Sequence, residues 1–214
     1  MELVLASNNA NKLREIQSQL SLTSVHVITA RQAGISDDFD VDETGGTFTQ
    51  NALLKARAFS ALTQLPTVSD DSGLVVNALN GEPGVHSKRW ISGSDQDRNL
   101  HLLKKLDGLS DRSAEFITVL ALYFPDVRET HFFEGTVKGR IITEERGNDG
   151  FGYDPVFVPE GYDKTFAELG IEIKNTVSHR FRAVQKLKAF VEGLQEGTHV
   201  NDLSTTQEDS GELR

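Results

Sequence analysis

Cysteine is absent from the 214 residues, which excludes disulfides, thiolate zinc sites and cysteine nucleophiles together. No apolar run approaches the roughly 20 residues of a membrane-spanning helix. The chain opens on the strand-like Glu2-Leu3-Val4-Leu5-Ala6, without the basic segment and longer apolar stretch of a signal peptide, so a cytoplasmic setting is expected. Basic residues are scarce as well: 22 Lys and Arg against 32 Asp and Glu give a formal net charge of -10. That balance disfavours nucleic acid as a partner, because nonspecific binding rests on neutralising phosphates with Lys and Arg. Small phosphorylated ligands stay open, since local lysines and backbone N–H groups decide their binding. The hydrophobic fraction of 37% is modest but suffices, at this length, for one sizeable core shaped as two lobes. Residues 1–196 are expected to form a single domain. From residue 197 to 214 the chain is polar and acidic and lacks aromatics, which is expected of a disordered tail.

Periodicity supplies the elements. Residues 2–6 read as a buried strand, and 11–20 as a helix with Leu13, Ile16 and Leu20 at helical spacing. A second strand is expected at 24–28, then an acidic, glycine-bearing loop at 37–46. Thr47-Phe48-Thr49-Gln50 matches a capping box, with Ala52, Leu53, Ala56 and Phe59 as the apolar stripe behind it and Pro66 as the stop. Residues 67–69 and 74–79 read as strands on either side of Asp70-Asp71-Ser72-Gly73. A helix is expected at 94–106 with Leu100, Leu103 and Leu106 on its apolar side, and a hairpin of strands 115–124 and 130–142 around Pro125-Asp126. The last helix is expected at 180–194. Strands and helices mix without strict βαβ alternation, which predicts an α/β protein with a mixed sheet.

Four polar clusters interrupt this pattern. Ser7-Asn8-Asn9-Ala10-Asn11-Lys12 stands where a strand ends and a helix begins. The free N–H groups of a first helical turn form an anion site, and Lys12 lies within that turn, although a plain polar turn with an N-cap would read the same way. Asp70-Asp71-Ser72-Gly73 follows a short strand; two adjacent acids there can supply a metal ligand and a base, or simply make a turn. Asp42-Glu43 is a second acidic pair, suited to Mg²⁺ or to a solvated loop. Asn51 and Lys55 lie four apart and share a helix face, so Lys55 either points to solvent or neutralises phosphate charge. In Gly147-Asn148-Asp149-Gly150-Phe151-Gly152-Tyr153-Asp154-Pro155 the glycines permit close approach of a ligand, and Phe151 or Tyr153 can stack on a base; a bulged hairpin loop is the alternative. Ser178-His179-Arg180, with Lys174 nearby, opens the last helix and offers groups for a base edge or a phosphate. The other histidines show no ligand spacing, so zinc is not expected.

Together these clusters resemble the inosine triphosphate pyrophosphatase family, which acts on non-standard purine nucleoside triphosphates. The carrying residues run through Ser7 to Lys12, Glu43-Thr44-Gly45, Asn51-Ala52 with Lys55-Ala56, and Asp70-Asp71-Ser72-Gly73-Leu74. They continue through Pro83-Gly84-Val85, Phe133-Glu134-Gly135, Gly150 to Phe157, Lys174-Asn175 and Ser178-His179-Arg180. The resemblance spans about residues 3–194. It implies an elongated mixed α/β fold, two lobes with a central active-site cleft, and a homodimer. The implied activity is Mg²⁺-dependent hydrolysis of ITP, dITP and XTP to the monophosphate and pyrophosphate, cleansing the nucleotide pool. Asp71 would be the general base and a metal-associated acid, with Glu43 as metal ligand in preference to Asp42. Lys12 and Lys55 would assist catalysis. Ser7, Asn8, Asn9, Ala10, Asn11 and Lys12, with Ser72 and Lys174, would bind phosphates or sugar. Phe151, Gly152, Tyr153 and Asp154, with His179 and Arg180, would hold the purine. The chain departs from the family pattern at Asn77, Asn80 and His86, where Asp, Gly and Tyr are common.

Overall fold

The computed structural model describes residues 1–20, 25–195 and 205–206. Its strands β1 (Glu2–Ala6), β2 (His26–Thr29), β3 (Thr67–Val76), β4 (Ser113–Phe124), β5 (Glu129–Ile141) and β6 (Phe157–Pro159) hydrogen-bond in the order β2-β1-β3-β4-β5-β6. Strand β1 is parallel to β2 and β3, whereas β5 and β6 are antiparallel. The sheet is therefore mixed, as expected, and helices α1 (Ala10–Leu20), α2 (Phe48–Thr63), α3 (Asp95–Lys105), α4 (Phe166–Val177) and α5 (His179–Gln195) complete an α/β fold. The chain divides into two compact units. Met1–Asp71, Val119–Glu134 and Ala183–Arg214 form the first, and Ser72–Thr118 with Gly135–Arg182 the second.

In the first unit the period-two alternation of a strand decides the packing. Leu3 and Leu5 of β1 join Ile16 and Leu20 of α1 and Val184, Leu187 and Val191 of α5 in one cluster. Ala6, one step out of phase, joins Ala30, Ile35 and Phe59 of α2 in another. Buried on both faces, β1 reads as an unbroken apolar run. Helix α2 starts on Thr47, whose side chain accepts from the Gln50 N–H at 3.1 Å. Only half of the expected capping box forms, because Gln50 Oε1 accepts from Gly46 N–H rather than from Thr47. The helix also stops before Pro66: Gln64 takes a left-handed conformation, φ 56°, and its N–H returns to the Ser60 carbonyl.

In the second unit Leu74, Val76, Leu102, Leu106, Phe116, Val137, Tyr153, Phe157 and Phe166 form the core. Three expectations need correction here. The residues Asp70-Asp71-Ser72-Gly73 are not a turn between two strands but lie inside the ten-residue β3. The buried stripe of α3 is Asn99, Leu102 and the capping Leu106, while Leu100 is exposed. Helix α4 occupies a segment for which no element is expected above, although Thr165 and Glu168 form a complete capping box at its start. The expectation for residues 197–214 lies outside the described residues except at Thr205–Thr206, which pair antiparallel with His131 and Phe132 of β5.

Glycine at 139 is required by the β5–β6 pairing. A β-carbon there would collide with the Val158 carbonyl oxygen and lie 2.6 Å from Phe157 Cζ. Gly139→Ala should lower stability by about 1–3 kcal/mol, the usual range for overpacking. Urea unfolding checks this, and an unchanged midpoint would refute the crowding.

Candidate functional site

The parallel pairing of β1 with β3 sets Ala6 beside Ser69, so the chain leaves β1 at Ser7 next to Asp70. Asn9 caps α1: its Oδ1 accepts from the N–H groups of Asn11 at 3.0 Å and Lys12 at 3.2 Å. Those two donors are engaged within the turn. Lys12 Nζ reaches Asp70 Oδ1 at 2.5 Å, and Asp70 is itself buried. Asn8 is exposed and donates to the Phe39 carbonyl at 2.7 Å, while Ala10 is the exposed first residue of the helix.

Helix α2 organises the acidic loop. Asn51, fully buried, accepts from Gly45 N–H at 2.8 Å, an approach too close for any side chain at position 45. One turn later Lys55 Nζ lies 2.5 Å from Glu43 Oε1 and 3.3 Å from Asp71 Oδ1. Of the pair Asp42-Glu43, Glu43 thus faces the cluster and Asp42 is exposed. Of the two roles open to Lys55 from sequence, solvation is excluded: its side chain is 13% exposed.

Three carboxylates, Glu43, Asp70 and Asp71, here face two ammonium groups. Burial and charge both show in proton affinity. Burial pushes the Asp71 carboxyl above its ordinary 3.8, and Lys55 and Lys12 pull it back only in part. Burial alone would lower the Lys55 ammonium, but Asp71, Asp70 and Glu43 outweigh it and hold the group above 10.5. Asp71 Oδ2 is buried with no hydrogen-bond partner, a costly state for a carboxylate unless a ligand completes it. Among the described residues no group of three or more His, Asp or Glu could hold a metal by itself.

The second unit carries its own constellation. Lys174 Nζ and Asp154 Oδ2 form an ion pair of 2.6 Å in which both side chains are 2% exposed. The same carboxylate oxygen accepts from Phe151 N–H at 2.9 Å. The Phe151 ring centroid lies 4.3 Å from Lys174 Nζ and 5.8 Å from Arg180 Cζ. Arg180, buried, donates from Nη2 to Ser72 Oγ at 2.9 Å. His179 is stacked on Phe116, ring centroids 4.7 Å apart. Tyr153 is a buried core residue whose hydroxyl donates to the Ser87 carbonyl at 2.9 Å, and burial raises its pKa. Of the two rings considered for stacking, only Phe151 is partly accessible. Gly150 is obligatory, with φ 83° and no room for a β-carbon beside the Asp154 carboxylate. Sequence reasoning missed Asn99 and Asp95 of α3, which bond to Gly152; the capping box of Ser94 and Asp97 was the available signal for that helix start.

Residues 3–190 match the Ham1 family as a whole. The chain belongs to the Ham1 family. It is 46% identical over 187 residues to a dITP/XTP pyrophosphatase of Symbiobacterium thermophilum, covering 86% of this chain and 91% of that protein. A dITP/XTP pyrophosphatase of Staphylococcus aureus strain MW2 is 44% identical over 197 residues, with 90% and 97% covered. Among solved structures, the Staphylococcus aureus Ham1 protein matches with a TM-score of 0.81 at 42% identity, over 91% of this chain and 100% of that one. A HAM1 protein from Coxiella burnetii matches with a TM-score of 0.82 at 38% identity, over 90% and 98%.

Two stability predictions follow from the charges. Because the folded Asp71 binds its proton more tightly than the unfolded chain, its contribution to stability falls as pH rises from 3.8 through its folded pKa. Asp71→Asn should therefore gain stability relative to the unsubstituted protein between acid and neutral pH, and thermal melting at both checks the sign. Lys174→Met leaves Asp154 buried without its counter-charge and should lose about 3–5 kcal/mol. Adding Asp154→Asn should restore part of that loss; a double variant as unstable as the sum of both would refute the coupling.

Proposed function

We propose that this chain is a nucleotide pyrophosphatase that hydrolyses non-standard purine nucleoside triphosphates, ITP, dITP and XTP, to the nucleoside monophosphate and pyrophosphate. The carrying observation is the buried pair Asp70-Asp71 with Lys12 and Lys55 engaged on it, in a chain whose relatives are named for this activity. Buried charges at such density fit a functional role, because replacing a buried ion pair by hydrophobic residues of similar volume is often neutral or stabilising.

In this reading Asp71 is the general base. Its raised proton affinity makes it a stronger base than an exposed carboxylate while it remains able to ionise. It takes a proton from a water that attacks the α-phosphorus; the bond from that phosphorus to the bridging oxygen breaks, and pyrophosphate leaves with the electron pair. Lys12 and Lys55 neutralise charge on the phosphates as it builds. Ser7 to Asn11, Ser72 and Lys174 bind phosphate or sugar, and Phe151, Gly152 and Asp154, with His179 and Arg180, hold the purine.

Magnesium belongs to the same proposal. The residues fit it: Asp71 Oδ2 lacks a partner, Glu43 shares Lys55 with Asp71, and the cluster keeps a negative excess. Mg²⁺ is usually held by one or two carboxylates plus substrate phosphates, so a smaller protein donor set suffices. When bound, it would supply Lewis-acid polarisation of the phosphates. A homodimer completes the reading by family resemblance; no helix among the described residues is long and apolar enough to cross a membrane.

Incubation with ITP and Mg²⁺ should release pyrophosphate and monophosphate, and Asp71→Asn should lower turnover about 100-fold or more. Separate assays of phosphate and pyrophosphate decide it, since diphosphate with orthophosphate would reject cleavage between α and β. Specificity constants for ITP and XTP should exceed those for ATP and GTP by about 100-fold, because donors aimed at a 6-oxygen reject an amino group and a 2-amino group must find room.

A further inference from the structure

Helix α3 grips the aromatic loop at both ends of one residue. Gly152 N–H donates to Asp95 Oδ2 at 2.7 Å, and Asn99 Nδ2 donates to the Gly152 carbonyl at 3.1 Å. Asp95 and Asn99 lie one helical turn apart and so share a face. One residue earlier, Phe151 N–H is held by Asp154. Side chains thus fix three backbone groups around the Phe151–Gly152 peptide. Gly152 has φ 62°, a conformation outside regular structure, so these side chains supply what a ladder would supply elsewhere.

The two bonds are not equal. Asn99 is 1% exposed, and its amide orientation follows from its neighbours: Nδ2 meets Glu145 Oε1 at 2.8 Å and the Gly152 carbonyl, both acceptors only. The Asp95 carboxylate is 48% exposed and is shared with Arg98, so solvent weakens its hold. Glu145 in turn keeps Asn99 pointed at the loop.

We infer that Asn99, assisted by Asp95, is a positioning residue for purine recognition, fixing the Gly152 peptide and through it the Phe151 ring on which the base stacks. This rests on the nucleotide pyrophosphatase reading above. The base lies far along the substrate from the bond that breaks, so stacking contributes alike before and during reaction. Loss of the ring's placement then raises KM and leaves kcat in place.

The test is steady-state hydrolysis of ITP by the full chain and its variants, with hydrogen exchange at the Gly152 amide. Asn99→Ala should raise KM about 10-fold with little change in kcat. Asp95→Ala, at the surface, keeps the fold and should raise KM about 3-fold while speeding exchange at Gly152. Asp95→Asn retains an acceptor oxygen and should return both values toward those of the unsubstituted protein. If Asn99→Ala fails to fold, Asp95→Ala decides. Unchanged KM in the folded variants, or a fall in kcat alone, overturns the positioning role. An unsubstituted protein that leaves ITP intact overturns the activity instead; exchange at Gly152 then still reports the grip, with faster exchange in Asp95→Ala supporting it and unchanged exchange overturning it.

Discussion

Two adjacent carboxylates inside a strand set the terms for the first unit. Neighbouring strand residues alternate in direction, and Asp70 and Asp71 are each met at close range by a different lysine, Lys12 from α1 and Lys55 from α2, while each lysine also acts on the other carboxylate. Each of these lysines must arrive at a fixed place. For Lys12 that place follows from the parallel pairing of β1 with β3 and from the Asn9 cap; for Lys55 it follows from Asn51, one turn earlier, tying the acidic loop to α2. The loop brings Glu43 to the same ammonium; burial pushes the proton affinity of Asp71 upward, and the surrounding carboxylates raise that of Lys55 against its own burial.

The second unit solves a different problem, the placement of a ring on a loop. Its loop has no ladder of its own, so polar side chains hold its backbone: buried Asp154 at Phe151, and exposed Asp95 with buried Asn99 at Gly152. Asp154 has a double engagement, since the oxygen that accepts from Phe151 also meets Lys174 at 2.6 Å. The ammonium that neutralises it sits 4.3 Å from the centre of the Phe151 ring, where the negative face of the ring favours a cation. Charge pairing and loop shape are therefore one arrangement, and the glycines at 150 and 152 are the positions where the backbone must turn without a side chain.

Much of this was legible in the chain. The apolar run in residues 2–6, the stripe of Leu13, Ile16 and Leu20, and the hairpin around Pro125-Asp126 each needed only local pattern, and all three elements formed. The polar clusters were recognisable as an ordered set, although each alone reads equally as a turn or a cap, and Asn9, Asn51 and Asp154 do hold caps and loops. What local chemistry could not settle was whether Asp70-Asp71-Ser72-Gly73 is a turn or a strand. Turn residues are turn residues by preference only, and here neighbouring strands and two lysines overrode that preference. The same holds for Leu100, which periodicity places on the apolar side of α3 and which packing leaves exposed in favour of Asn99.

The sequence by itself determined the class of fold, the exclusion of thiol chemistry and the list of groups available to a polyphosphate and a base, because these depend on composition and on spacings within a few residues. Only the tertiary structure decided which lysine meets which carboxylate, that Phe151 rather than Tyr153 keeps an accessible ring, and that Asn99 reaches a glycine far along the chain. Those outcomes depend on contacts between residues distant in sequence, whose energies are set by burial and by which partner arrives within hydrogen-bond distance, and no local pattern encodes either.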